Sequence, residues 1–129
     1  MYVETGQGQG ELDNALQLID EQIAQVERPG WEERLHYAEL LRLKGWMLAR
    51  KGDLEGAEKN YLASLAQARQ QQAKSWELRT STSLAKLWQS QGKRKEARDV
   101  LAPVYSWFTE GFDTKDLKEA QVLFEELGE

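Results

Sequence analysis

The sequence predicts an all-α protein made of antiparallel helix hairpins, about six helices in all, and three observations support that prediction. Apolar residues recur at spacings of three and four along most of the chain, which is the period of one buried helix face. Glycines interrupt these stripes where a helix is expected to end, for example Gly52 and Gly92. Residues that favour helix, such as Ala, Leu, Glu, Lys and Gln, are abundant, and the chain holds only 2 prolines.

Each predicted helix is an apolar stripe bounded by residues that start or stop a helix. Pro29 stops the first, because proline disfavours helix at the residue before it, and Asp53 is a suitable N-cap for the third. Pro103 falls inside the fifth, where we expect a bend or an irregularity. The predicted helices cover residues 12–27, 31–51, 54–72, 75–91, 93–110 and 115–127. Residues 1–10, in which glycines alternate with other residues, are predicted to be a flexible tail, and residues 11–129 a single repeat domain.

An internal repeat becomes visible when the turn glycines are aligned. Gly10, Gly52 and Gly92 are 42 and 40 residues apart. An alanine follows each glycine by five residues, and a bulky residue follows that alanine by four; these columns are Ala15, Ala57 and Ala97, then Ile19, Tyr61 and Leu101. The helices before the turns carry Gly45 and Ala85 at matching positions. Small residues let neighbouring helices approach closely, so we expect Gly45 and Ala57 at the contact between the helices of one hairpin.

These columns resemble the tetratricopeptide (TPR) repeat, a helix hairpin that stacks into a right-handed superhelix. The spacing exceeds the usual repeat of roughly 34 residues, which implies helices longer by about a turn each. The array would comprise one half repeat, two full repeats and one half repeat, and the TPR-like domain would span residues 11–129.

Residues 73–127 resemble more specifically the C-terminal TPR segment of large bacterial predicted ATPases. In that family the segment often follows a nucleotide-cyclase-like or regulator domain and a signalling NTPase domain. The likeness is carried by Ala73-Lys74-Ser75, Ser83-Leu84-Ala85, Leu87-Trp88, Gln91-Gly92 and residues 107–114. The chain has no GxxxxGK[ST] phosphate loop, so the resemblance implies the scaffold and not the ATPase or cyclase activity. The resemblance implies either a fragment of such a protein or a stand-alone relative.

Composition argues against several classes of function. The net charge is −5 and the lysines and arginines are spread along the chain, so no basic face for nucleic acid is expected. There is no cysteine, which excludes disulfides and thiolate metal sites and fits a cytoplasmic location. No apolar run approaches the roughly 20 residues of a membrane span, so no membrane partner is expected. His36 is the only histidine; with Glu32, Glu33 and Glu39 it could form a metal site, but a solvated helix face is the favoured interpretation, and no cofactor or enzyme activity is expected.

The TPR pattern also predicts which residues face the concave side of the stack. They are Glu39, Arg42, Leu43, Trp46, Arg50, Arg79, Thr82, Ser83, Lys86 and Gln89. Four of these are cations and one is an acid, in a chain of net charge −5, which predicts an acidic or carboxylate-bearing protein or peptide partner. The alternative is that these side chains only solvate the face and pair with neighbouring acids.

The chain holds 5 tryptophans, whose predicted roles differ. Trp76 and Trp88 are expected to pack in the core between hairpins, Trp31 to cover the turn before it, and Trp107 to anchor the final helix. Trp46 lies on the predicted concave side, where it is either an aromatic anchor for a partner or a core residue. Both interpretations stay open.

Two functions of different classes follow. The first is a protein-interaction scaffold that holds a partner segment on its concave face. The second is an oligomerisation module of a signalling ATPase or cyclase-type regulator. Because the first helix has no leading partner and bears Leu12, Leu16, Ile19 and Ile23, self-association through that end, giving a homodimer, is also predicted.

Overall fold

The computed structural model of the protein describes residues 6–27, 36–110 and 114–128. These residues form six α-helices and no strand, as the sequence predicted. The helices are α1 Gly6–Glu27, α2 Tyr37–Lys51, α3 Leu54–Gln70, α4 Lys74–Ser90, α5 Arg94–Trp107 and α6 Lys115–Gly128. The chain divides inside α3 into two compact units, Met1–Ser64 (unit 1) and Leu65–Glu129 (unit 2). In the described part of the chain, no helix is both long and apolar enough to cross a bilayer.

The helix bounds differ most from the predicted ones at the start of the first helix, at the start of the second, which begins at Tyr37, and at the end of the fifth. The first helix begins at Gly6, so it includes residues for which a flexible tail was predicted; residues 1–5 and 31–35 lie outside the described residues. Gly10 lies within that helix and is not a turn glycine, which corrects its alignment with Gly52 and Gly92. The fifth helix continues through Pro103 and ends at Trp107. Pro103 is exposed, so the carbonyl left without a helical partner can be hydrated.

In unit 1, α1 and α2 pack in an antiparallel arrangement. Three polar links join them, each seven residues from the next on both helices: Asp13 with Lys51, Asp20 with Lys44 and Glu27 with Tyr37. Residue numbers rise along one helix as they fall along the other. Beside these links Ile19 and Ile23 are buried against Leu41, with Leu16, Leu40 and Met47 partly buried around them. A seven-residue step keeps the links on one side of each helix, so they fix the register of the pair.

The contact between α2 and α3 lies where the sequence predicted it. A Cβ atom at Gly45 would lie 2.8 Å from two ring carbons of Tyr61 and 3.1 Å from the carbonyl oxygen of Ala57. Ala57 and Tyr61 are both buried. One side-chain hydrogen bond reinforces the pair, because the buried Ser64 hydroxyl donates to the carbonyl of Ala38 at 2.6 Å. The close approach of Gly45 to Ala57 is thereby confirmed.

Three helices end in the same way, at positions spaced twenty residues apart. Gly52, Gln72 and Gly92 have φ values of 94°, 56° and 80°. In each case the N–H of that residue donates to the carbonyl three residues back, and the next N–H donates to the carbonyl five residues back. This is the Schellman C-cap, which satisfies carbonyls that would otherwise lack partners. The sequence analysis found the two glycine caps and missed Gln72.

Unit 2 has a core formed by α4, α5 and α6. Its buried members are Leu78, Ala85, Ala97, Leu101, Val104, Leu117, Ala120, Leu123 and Leu127, with Trp88, Tyr105 and Phe124 packed against them. Two side-chain contacts place α6 alongside α4: Arg79 donates to Asp116 at 3.0 Å and Gln89 to Glu126 at 3.2 Å. Each pair is separated by 37 residues, so numbers rise together and the two helices run parallel.

Candidate functional site

In unit 1 the structure separates the five predicted concave residues into two groups. Glu39 accepts two hydrogen bonds from Arg42, at 3.0 and 2.6 Å, so the charge of Arg42 is already balanced on its own helix. Leu43 is half-buried against the core of α1 and α2. Trp46 and Arg50 remain at the surface, where the indole is 45% exposed and the guanidinium carbon lies 4.8 Å from the ring centroid. Trp46 is therefore a surface residue with a stacked cation.

Arg50 could bind an acidic group while its guanidinium stays in contact with the Trp46 indole. A guanidinium that stacks on an indole uses its face, while its N–H donors point outward in the plane of the group. These donors match a carboxylate in a two-point hydrogen bond. Stacking also holds the long arginine side chain in place, which reduces the entropy lost when a ligand binds.

Burial next to this surface affects Tyr61, the residue that contacts Gly45. Loss of hydration raises the pKa of the Tyr61 hydroxyl above its ordinary value of 10.0, and the nearby positive charge of Arg42 acts in the opposite direction. The hydroxyl therefore stays protonated at neutral pH, while the ring of Tyr61 packs against Gly45.

In unit 2, two of the five predicted concave residues are bound to side chains of α6. Arg79 is bound to Asp116 and Gln89 to Glu126. Thr82 is buried, and its hydroxyl donates back to the carbonyl of Leu78 at 2.8 Å, so it offers no surface to a partner. Ser83 is half-buried, and Lys86 is exposed. This cover was not predicted from the sequence, because helix periodicity locates the sixth helix but does not say which helix it lies along.

A cavity of about 600 Å³ runs between α4 and α6 in unit 2. It is lined by Lys86, Gln89, Lys118, Glu119, Val122, Leu123 and Glu126. The lining contains two lysines and two glutamates, so its charges balance. Nothing in that balance favours an acidic ligand over a basic one.

A second cavity in unit 2, of about 720 Å³, was not predicted. It lies where the turn between α3 and α4 meets the end of α5, and it is lined by Arg69, Gln72, Lys74, Ser75, Glu77, Trp107 and Phe108. Trp107 is 56% exposed and meets Phe108 edge-on at 5.1 Å between ring centroids. Trp107 is thus part of a cavity wall, and its predicted role as an anchor of the final helix stays a prediction.

One signal in the sequence could have revealed this cavity. The fifth residue after each left-handed cap residue is Ala57 after Gly52, Glu77 after Gln72 and Ala97 after Gly92. Glu77 therefore stands where the other two repeats have alanine. Both alanines are fully buried, and Glu77 is only 6% exposed. A carboxylate in place of a buried alanine needs polar partners, because burying an unpaired charge is costly. Its partners are the two cations of the cavity.

The described residues offer no metal site. No group of three or more His, Cys, Asp or Glu side chains comes together among them. His36 is exposed, and Glu39 is bound to Arg42, while Glu32 and Glu33 lie outside the described residues.

The apolar stripe that motivated the dimer prediction is largely used within unit 1. Ile19 and Ile23 are buried against α2, and Leu18, 60% exposed, is a large apolar residue that stays open among the described side chains of α1. Self-association through this end stays a prediction, without the apolar stripe as its basis.

Comparison of the chain with protein-family models, with curated proteins and with solved structures finds no match. The likeness to TPR proteins therefore rests on the aligned repeat positions in the sequence, and the likeness to signalling ATPases on the segments of residues 73–127.

Proposed function

We propose that this chain is a non-catalytic protein-interaction scaffold, a right-handed stack of TPR-like hairpins that binds an acidic segment of a partner protein. The hairpin assignment is supported by the close packing of Gly45 against the Tyr61 ring and the Ala57 backbone. The Schellman caps at twenty-residue intervals support a repeated architecture. The resemblance of residues 73–127 would place such a scaffold beside the catalytic domains of a signalling ATPase or cyclase-type regulator.

The observation that carries the proposal is the exposed Trp46–Arg50 pair. Among the predicted concave residues of unit 1, it is the place where a cation has no carboxylate partner within the part of the chain that the structure describes. A partner carboxylate would receive hydrogen bonds from Arg50, and a neighbouring apolar side chain would lie on the indole. Because the pair is exposed, we expect weak binding that falls as ionic strength rises.

Reversing the charge of Arg42 or Arg79 is a poor test of this function. Each arginine already has a carboxylate partner in the structure, so the change would disturb a helix contact as well as any ligand. The double variant Trp46→Ala, Arg50→Gln removes the proposed surface without breaking an ion pair. Leu18→Ala with Lys59→Gln is its matched control, since it removes an exposed apolar residue and an exposed cation elsewhere in unit 1.

The probe is an acetylated peptide of alternating leucine and glutamate, measured by calorimetry against the full chain. Every protein in this comparison also carries Lys74→Met, so that the cavity lined by Trp107 contributes little to binding. We expect binding by the parent and the control, loss in the Trp46→Ala, Arg50→Gln variant, and weakening with added salt. Equal binding by a leucine–lysine peptide, or unchanged binding by the double variant, would contradict the proposal.

A further inference from the structure

The cavity lined by Trp107 combines an open aromatic surface with a surplus of hydrogen-bond donors. The Nε atom of Arg69 donates to one Glu77 oxygen at 3.2 Å, and the Lys74 ammonium lies 3.3 Å from the other. Arginine has several further N–H donors and lysine has further ammonium protons, which this contact leaves available. The Lys74 ammonium also lies 5.5 Å from the centroid of the Trp107 ring.

Glu77 holds the two cations at the cavity wall. Its carboxylate is nearly buried, and each of its oxygens faces a different cation. The side chains of Arg69 and Lys74 are about half and a third exposed, so their remaining donors reach solvent in the cavity. With two positive charges and one negative, the site keeps a net positive charge in a chain whose net charge is −5. That surplus is complementary to a single carboxylate.

We propose that this cavity binds a short partner segment in which a carboxylate lies next to an apolar or aromatic side chain, with Glu77 as the positioning residue. The carboxylate would accept hydrogen bonds from Arg69 and Lys74, and the apolar side chain would pack on Trp107. The cavity volume lies within the range of about 300–1,000 Å³ that is usual for ligand pockets. The proposal goes beyond the function assigned to unit 1, because it involves neither Trp46 nor Arg50.

The experiment is a titration of the full chain carrying Trp46→Ala and Arg50→Gln, so that the surface of unit 1 does not contribute. The probe is the acetylated, amidated peptide Gly-Phe-Asp-Glu-Gly. The readout is the indole N–H resonance of Trp107, assigned by its loss in Trp107→Phe. We expect a saturable shift with this peptide, and affinity about tenfold lower when Asn and Gln replace its acids or Ala replaces its Phe. No saturable shift, or equal binding by all three peptides, would overturn the proposal.

The Glu77→Gln variant separates positioning from simple attraction between charges. It raises the net charge of the site by one, so attraction alone predicts tighter binding. If Glu77 positions the cations, binding weakens by about tenfold despite the added charge. Tighter or unchanged binding would refute the positioning role.

Lys74→Met tests the same site if Glu77→Gln fails to fold. We expect its affinity for the peptide to fall by about tenfold, with the salt dependence reduced. Lys95→Met is the control, because Lys95 is an exposed lysine of unit 2 paired with Asp99 outside the cavity. Equal affinities of these two variants would count against the cavity as the binding site.

Discussion

Replacing Gly45 by alanine would test the close contact between α2 and α3, because two opposing effects on the unfolding free energy can be compared there. Alanine favours helix over glycine by about 1 kcal/mol. The added methyl group would lie 2.8 Å from ring carbons of Tyr61 and 3.1 Å from the Ala57 carbonyl oxygen. Tyr61 is only 3% exposed, so its ring has no free space to enter, and the helices must separate. Overpacking of this kind costs about 1–3 kcal/mol, which leaves a net destabilisation of about 0–2 kcal/mol.

Gly10→Ala is the matched control for this change. Gly10 also lies inside a helix, and a Cβ atom built there has nothing within 4 Å. The helix preference then acts alone, and we expect stabilisation of up to about 1 kcal/mol. The two glycine-to-alanine changes should therefore differ in sign or by about 1–3 kcal/mol in unfolding free energy.

Urea unfolding followed by circular dichroism measures both unfolding free energies. The comparison is valid if the slope of unfolding free energy against urea concentration is the same in the variants and the parent. In a protein that already carries Tyr61→Leu, adding Gly45→Ala should cost less unfolding free energy than it does in the parent. The smaller leucine side chain gives the new methyl group room. If Gly45→Ala stabilised the protein as much as Gly10→Ala, the close approach of α2 and α3 described above would be wrong.

Other predictions concern backbone strain, a buried hydroxyl and pH. Gln72→Gly should raise the unfolding free energy by about 1 kcal/mol, because glycine adopts the left-handed conformation without steric cost. Gly92→Ala should lower the unfolding free energy by a similar amount. An unchanged melting temperature in either variant would contradict its prediction. Ser81→Ala should be neutral or stabilising in urea unfolding, because the buried Ser81 hydroxyl has no hydrogen-bond partner among the described residues, and a large loss of stability would disprove that. Since burial raises the pKa of Tyr61 above 10.0, its contribution to stability is complete below about pH 10 and is lost as pH rises further. When the unfolding free energy is measured between about pH 8 and pH 11, Tyr61→Phe should lose less of it than the parent does. Parallel pH curves for the two proteins would contradict a raised pKa of Tyr61.

The sequence was sufficient to predict the helices and one tertiary contact, for physical reasons. Helix periodicity is local, so apolar spacing and turn glycines located all six helices to within a few residues at most of their ends. Gly45 and Ala57 could be matched because close helix approach admits few residue types. The left-handed Gln72 could not, since glutamine carries no preference for that conformation, and only the neighbouring hydrogen bonds impose it.

The charged residues of the candidate site were harder to predict than the core. The sequence alone suggested that Arg79 was available to a partner, but Asp116 lies 37 residues further along the chain and neutralises it. Such a pairing depends on the register of two helices, which composition does not determine. The Trp107 cavity was missed for a related reason, because its walls come from three separate helices and one turn.

The twenty-residue interval between caps has a consequence for changes in the length of this chain. One helix and its turn occupy twenty residues, so two such blocks return the chain to the same direction, as the parallel α4 and α6 illustrate. Within unit 2, a change of forty residues would preserve the direction of the helices that follow it. A change of twenty residues would reverse the direction of those helices. Growth or shrinkage of this protein is therefore expected to occur in whole hairpins.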